Sequence, residues 1–387
     1  MTEAQIGLED VVIGNSSICF IDGDKGILQY RGYNANQLAE KSNFEEVCFL
    51  LINGHLPTQK DFDEFKTLLR ADRHLPNGFL KEMQNLPPAT NAMARLRTLT
   101  SILESYDSEG EVITEAANMR RTIRLTAQLS VLAASIERVR KGLPTLEPLD
   151  DLDHAANFLY MLNGKKPSET SRRAMDMALI LQADHELNAS TFAGCVTVST
   201  LSDMYSAVVS AIGTLKGPLH GGANKAVMEM LEEIGSVENV EPYIKARLLA
   251  KKKIMGFGHR VYTTLDPRAA VLKEMSRKLS VEIGPAKWFE ISDQVQKMMS
   301  HEKNINANLD FYSATVFHYL GISTDMFPVI FAISRIVGWC THFIEQYNNN
   351  RLIRPTINYT GRRDQSYVPI AERKSESAPV KTTTSPR

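Results

Sequence analysis

Two histidines stand in glycine-rich loops. Gly217-Pro218-Leu219-His220-Gly221-Gly222-Ala223-Asn224 presents an imidazole on a loop that runs into a helix, because Val227, Met230, Leu231 and Ile234 form an apolar stripe that stops at Gly235. Glycines on both sides let the main chain approach a ligand closely. The positive end of the helix disfavours an imidazolium, so His220 is expected to be neutral and able to donate a hydrogen bond at pH 7. A glycine turn carrying an incidental histidine is the plain alternative. The segment has neither the Gly-Lys-Ser/Thr of a phosphate cradle nor the glycine spacing of a dinucleotide fold. The second loop is Gly256-Phe257-Gly258-His259-Arg260, preceded by Lys251, Lys252 and Lys253 and followed by Asp266-Pro267-Arg268. A solvated basic turn is its alternative reading. A third element, Asn304-Ile305-Asn306-Ala307-Asn308-Leu309-Asp310, leads into an expected helix over 311–320. There Asp310 is either the N-cap or a carboxylate base aimed into a cleft, and spacing leaves both open.

Arg335 is the most telling charge, set inside Phe331-Ala332-Ile333-Ser334-Arg335-Ile336-Val337-Gly338-Trp339. A buried guanidinium needs a partner, and its planar fork suits a carboxylate of a ligand or of an internal Asp or Glu. Arg354 in Leu352-Ile353-Arg354-Pro355 and Arg268 add two more forks. Three arginines and two histidines point to a small polycarboxylate. His185, in Asp184-His185-Glu186, prolongs an apolar stripe from Ala174, Met177, Ala178 and Leu181, which suits a core histidine as well as a ligand contact.

The elements that must hold these groups are almost all helical. Residues 17–20 and 27–30 flank Asp22-Gly23-Asp24-Lys25-Gly26 as a small hairpin. Helices are expected at 125–140, stopped by Gly142 and Pro144, and after Pro167 with Ser168 as N-cap. Apolar stretches at 192–215 and 327–344 contain Asp203, and Arg335 with His342, and are expected to be buried core helices, not membrane spans. From about 374 the Ser/Thr/Pro/Lys-rich end is expected to be a disordered tail. In a chain of 387 residues, 44 basic and 45 acidic residues argue against nucleic acid as the main partner. Cys19, Cys48, Cys195 and Cys340 lie far apart without metal-ligand spacing, which fits reduced thiols in a cytoplasmic protein. The start Met1-Thr2-Glu3-Ala4 lacks a signal-peptide pattern.

Taken together, these segments resemble the citrate synthase family, in its shorter bacterial and archaeal form. Gly26-Ile27-Leu28-Gln29-Tyr30-Arg31-Gly32, Leu51-Ile52-Asn53-Gly54-His55-Leu56-Pro57 and Tyr367-Val368-Pro369-Ile370 also match. The resemblance implies a mainly α, two-domain fold: a large helical domain of 1–221 and 326–373, and a small domain of 222–325. It implies a catalytic triad of His220, His259 and Asp310. Oxaloacetate would be held by His185, Arg268, Arg335, Asn308 and Phe331, with Arg354 reaching across from a partner subunit of a homodimer. Coenzyme A would lie on Lys253, Gly256, Phe257, Gly258 and Arg260. Acetyl-CoA is then a substrate, and no resident cofactor or metal is called for. The close alternative is a 2-methylcitrate synthase acting on propionyl-CoA, and the distant one an inactive helical scaffold. Two departures stand out. Thr263 occupies a position where many relatives carry a basic residue, and Asn91-Ala92-Met93 replaces a His-Pro-Met segment.

Overall fold

A computed structural model of the chain describes residues 5–8, 11–87 and 89–373, so the tail expected from about 374 lies outside the described residues. By contact the chain divides into two units, residues 15–353 and residues 1–14 with 354–387. In the second unit, 354–369 is irregular and exposed, with bends at 361 and 364 and the short turn Ile370–Glu372 near its end.

The first unit is helical apart from one antiparallel sheet near its start, Cys19–Asp22 paired with Ile27–Tyr30 and then with the two-residue strand Tyr33–Asn34. The first strand runs two residues later than the sequence suggests. Asp22 accepts the Lys25 N–H in the turn, which leaves Ile21 and Asp22 free to join the ladder.

The core is organised around Phe327–Asn348, every residue of which from 329 to 344 is buried. A helix apolar on all sides belongs at the centre of a core or in a bilayer. This one is long and apolar enough to cross a membrane, yet 89% of its apolar window is buried inside the protein. The helices Glu115–Arg140, Glu169–Gln182, Ala189–Ser199 and Met204–Leu215 cover it. Gly338 makes one of these approaches feasible, since a Cβ there would lie 2.3 Å from the Ala183 carbonyl oxygen. That contact presses the central helix onto the turn carrying Asp184 and His185.

Three further sequence expectations need correction. The 192–215 stretch is two helices, because the Asp203 side chain caps the second one at the Ser206 N–H. The helix expected from 125 begins at Glu115 under a Thr114 cap; its first turns bury the polar Asn118, Arg121 and Thr122, so no apolar stripe marks its start. The stripe leading to His185 ends at Gln182, so His185 sits in the following turn and not on the helix. Ser168 does cap that helix, and Ala223–Ile234 ends at Gly235 as its stripe requires. Farther along, Ala223–Ile234 and Pro267–Glu282 both pack against Leu309–Tyr319.

Candidate active site

The His259 loop is held by main chain. Gly258 N–H donates to the Asn306 carbonyl, Asn308 N–H donates to the Gly256 carbonyl, and Phe257 bridges Ala307. Gly256 is required here twice over: its φ is +80°, and a Cβ would meet Phe311 and Val227 at 2.8 Å. Within the loop the His259 Nδ1 accepts the N–H groups of Val261 and Tyr262, at 3.0 and 3.2 Å. An Nδ1 that accepts carries no proton, so in the neutral ring Nε2 holds it and is a donor. Burial, helped by Arg268, lowers the His259 pKa to about 4. The ring is therefore a neutral donor at pH 7. His185 lies 5.5 Å from it between ring centres, with its Nε2 3.2 Å from the Tyr262 hydroxyl. Burial, then Arg268 and Arg335, hold His185 well below the ordinary histidine range.

Arg268 and Asp310 start two neighbouring helices tied by one carboxylate. Asp266 caps Pro267–Glu282, takes Nε and Nη2 of Arg268 at 2.9 Å each, and also accepts the Leu309 N–H. Burial works against the Arg268 charge, but Asp266 outweighs it and holds the guanidinium more firmly charged than usual. The capping role considered for Asp310 belongs to Asn308, whose Oδ1 accepts the Asp310 N–H while its Nδ2 donates to the Gly258 carbonyl. The Asp310 carboxylate is thus left out of capping. Burial pushes its pKa up to about 6, with Arg268 opposing and Asp266 adding to the rise.

Arg335 is the opposite case from Arg268. It is 1% exposed, its Nε donates to the Gln182 carbonyl at 2.7 Å, and its Nη1 is buried without a hydrogen-bond partner. Among the described residues no carboxylate comes within ion-pair distance of it. Burial accordingly lowers its pKa, with Asp184 only partly opposing. Its guanidinium lies 4.8 Å from the centre of the Phe331 ring, and Phe331 meets His220 edge-on at 6.1 Å. His220 Nε2 is 2.8 Å from the Ser190 hydroxyl. Its pKa falls to about 4, through burial first and Arg335 second. Burial and Arg335 thus leave His220 in the neutral state expected of it.

Arg268, Arg335, His185 and His259 therefore form one electrostatic cluster, with His220 joined through Arg335 and Asp310 through Arg268. In the loop assigned to coenzyme A, Gly256 is buried, Phe257 is half-buried, and Lys253, Gly258 and Arg260 are exposed. Thr263, the departure noted above, donates its hydroxyl to Asp24 in the hairpin turn at 2.8 Å. Arg354 is exposed and opens the other unit. Two cavities of about 440 and 720 Å3 lie elsewhere and contain none of these residues. Sequence reading missed the duties of Asp266, Tyr262 and Ser190. Only Asp266 carried a local sign, as an Asp-Pro pair at a helix start.

The family model "Citrate synthase, C-terminal domain" matches residues 7–356. "Citrate synthase 2" of Bacillus subtilis is 50% identical over 372 residues, 95% of this chain and 98% of that protein. A 2-methylcitrate synthase of Shewanella oneidensis is 38% identical, covering 95% of this chain and 97% of its own. Among solved structures, a citrate synthase from Thermoplasma acidophilum, in a ternary complex with carboxymethyl coenzyme A and oxaloacetate, is 35% identical. It superposes with a TM-score of 0.90 over 96% of this chain and 100% of that one.

Proposed function

The chain belongs to the citrate synthase family, and from that premise we propose that it condenses acetyl-CoA with oxaloacetate and water to give citrate and coenzyme A. The observation that carries this reading is the buried, carboxylate-free Arg335 beside neutral imidazoles. Such a cluster is electrically incomplete without a small anion. Arg335 and the remaining Nη1 of Arg268 hold the carboxylates of oxaloacetate, while His185 and Asn308 border it. His259 donates from Nε2 to the ketone oxygen and makes the carbon more electrophilic.

The methyl group of acetyl-CoA is a very weak acid, so its proton leaves only if the developing enolate oxygen is stabilised at once. Asp310 takes the proton and His220 donates to that oxygen. The methyl carbon then bonds to the ketone carbon, whose oxygen takes up a proton. Water cleaves the resulting thioester to citrate and free coenzyme A thiol. Coenzyme A rests on the main chain of 253–260. Residues 222–325 act as a small domain that closes over oxaloacetate and excludes water. The four free thiols suit a cytoplasmic enzyme.

Steady-state thiol release at saturating oxaloacetate tests this function. Turnover with acetyl-CoA should exceed that with propionyl-CoA. The reverse order would make the chain a 2-methylcitrate synthase, a change that a pocket difference of about 1–3 kcal/mol suffices to produce. A failure to release thiol from either thioester would leave an inactive scaffold.

Arg354 is assigned to the site of a partner subunit in a homodimer. Inactive His259→Ala and inactive Arg354→Leu chains, unfolded and refolded together, should then regain roughly a quarter of wild-type activity, since about half the dimers are mixed and each has one intact site. No recovery despite demonstrated subunit exchange would return Arg354 to its own chain.

A further inference from the structure

The turn of the N-terminal hairpin lies against the segment that joins His259 to Arg268. Asp22 accepts the Lys25 N–H and pairs with the Lys25 ammonium at 2.8 Å, which closes the turn on itself and leaves Asp24 to serve a neighbour. The Asp24 carboxylate accepts the Thr263 hydroxyl at 2.8 Å, and the Gly23 carbonyl accepts the Thr263 N–H at 3.2 Å. Glycines set how close the two pieces come. A Cβ at Gly23 would collide with the Val261 carbonyl oxygen, and one at Gly26 would lie 2.9 Å from the Leu265 carbonyl oxygen. Just beyond, the Asn36 amide donates to the Pro267 carbonyl at 2.8 Å. Val261, Thr263, Thr264 and Leu265 are all exposed, so these contacts, and not burial, hold that side of the segment. The other side faces the site: Tyr262 is buried against His185, and the N–H groups of Val261 and Tyr262 fix the His259 ring. The root of the hairpin is anchored beside the same His185, since the buried Tyr30 hydroxyl lies 3.1 Å from the carbonyls of Ile180 and Asp184.

We propose that Gly23 and Asp24 are positioning residues for the condensation, clasping residues 261–265 so that His259 and Arg268 stand opposite His185 and Arg335. The proposal rests on the readings of His259 as donor to the ketone oxygen and of 222–325 as a domain that closes over oxaloacetate. The hairpin root is fixed to the turn that carries His185, and its tip to the segment that follows His259. It therefore acts as a short strut that sets the 5.5 Å between the two rings. Hairpin and segment fall on opposite sides of the proposed domain boundary, so the clasp favours the closed arrangement before oxaloacetate arrives and strengthens its binding. Thr263 then has a different duty from the basic residue that many relatives carry at its position: it contacts the hairpin, not a ligand. The exposed Thr263–Asp24 bond contributes only a small factor by itself, because water competes for both groups. The glycine contact contributes more, since main chain that gives way there carries His259 with it.

The test is Gly23→Ala, read by hydrogen exchange, calorimetric titration with oxaloacetate and steady-state kinetics. Gly23 lies outside the left-handed region, so the hairpin itself accepts alanine and only the clasp is obstructed. Exchange of the Thr263 amide should quicken by about tenfold, and kcat/KM for oxaloacetate should fall by about 10- to 100-fold with melting unchanged. Thr263→Val and Asp24→Ala should each raise the oxaloacetate KM by about threefold, and their combination should be no worse than either alone. Thr263→Ser, which keeps the hydroxyl, should behave as the wild type. Additive or absent losses in the Thr263→Val and Asp24→Ala pair would overturn the clasp, even if Gly23→Ala failed to fold. A loss confined to acetyl-CoA in Thr263→Val would do the same and make Thr263 a ligand contact. So would a folded Gly23→Ala with wild-type exchange, or one with faster exchange and unaltered kcat/KM. A wild type that bound no oxaloacetate would remove the functional reading instead, while exchange at Thr263 still reported on the clasp.

Discussion

Asp310→Asn should reduce turnover by about 10²–10⁴-fold, the range supplied by a positioned general base, while leaving the folded protein no less stable. The second half follows from the capping geometry. Asn308, not Asp310, accepts the N–H at the start of Leu309–Tyr319, so the substitution costs no cap. The charge effect has a definite sign as well. The Asp310 pKa is about 6 in the folded chain, against an ordinary value of 3.8. The folded state thus binds the extra proton, and stability contributed by this group is full below about pH 4 and lost as pH rises through about 6. Above pH 6 the ionised carboxylate opposes folding by on the order of 1–3 kcal/mol. Asn, which is always neutral, escapes that penalty, so the melting temperature of the variant at pH 7 should equal or exceed the wild type's. Two kinetic readouts accompany this. Exchange of acetyl-CoA methyl protons should vanish in Asp310→Asn, and wild-type kcat/KM should fall below about pH 6. His220 and His259, both near 4, do not contribute to that limb. Substantial turnover in Asp310→Asn, or an acid limb near 4, would remove Asp310 as the base.

The contrast between Asp310 and Asn308 shows where the sequence was legible. Glycines around His220 and His259, and a guanidinium amid apolar residues at 335, are local anomalies that cost stability wherever they occur, so they advertise a site without any knowledge of the fold. The helix after His220 could be bounded from its stripe and its terminal glycine because one face is buried and the other is not. The helix Glu115–Arg140 could be ended at Arg140 but not started, because its first turns bury Asn118, Arg121 and Thr122 where an apolar stripe would have shown. Choosing the cap among Asn304, Asn306, Asn308 and Asp310 was beyond local chemistry. Asn308 wins because its amide also reaches the Gly258 carbonyl, 50 residues away in the chain. Ser190 and Tyr262 gave no sign at all, since a serine in a helix's first turn and a tyrosine in a loop are ordinary until folding places them against His220 and His185.

Arg335→Met should show the same opposition of stability and function more sharply. Wild-type Arg335 keeps a full charge in the core with one hydrogen bond to a carbonyl and a bare Nη1. Its counterpart Arg268 has its carboxylate built in and gains nothing comparable from an empty site. A thioether of similar length covers Phe331 and removes an uncompensated charge, at the loss of the Gln182 bond. Replacing buried ions by apolar side chains is commonly neutral or stabilising by about 1–4 kcal/mol. The ligand-free variant should therefore melt no lower than the wild type. Oxaloacetate should suffer in the other direction, because its carboxylate loses a desolvated fork worth about 2–5 kcal/mol, roughly 30- to 5000-fold in Kd. Binding of coenzyme A alone should hardly change. Ligand-free melting and calorimetric titration with oxaloacetate measure the two signs separately. A variant that melts well below the wild type while binding oxaloacetate normally would make Arg335 a structural charge, and the anion expected between it and Arg268 would have to be sought elsewhere.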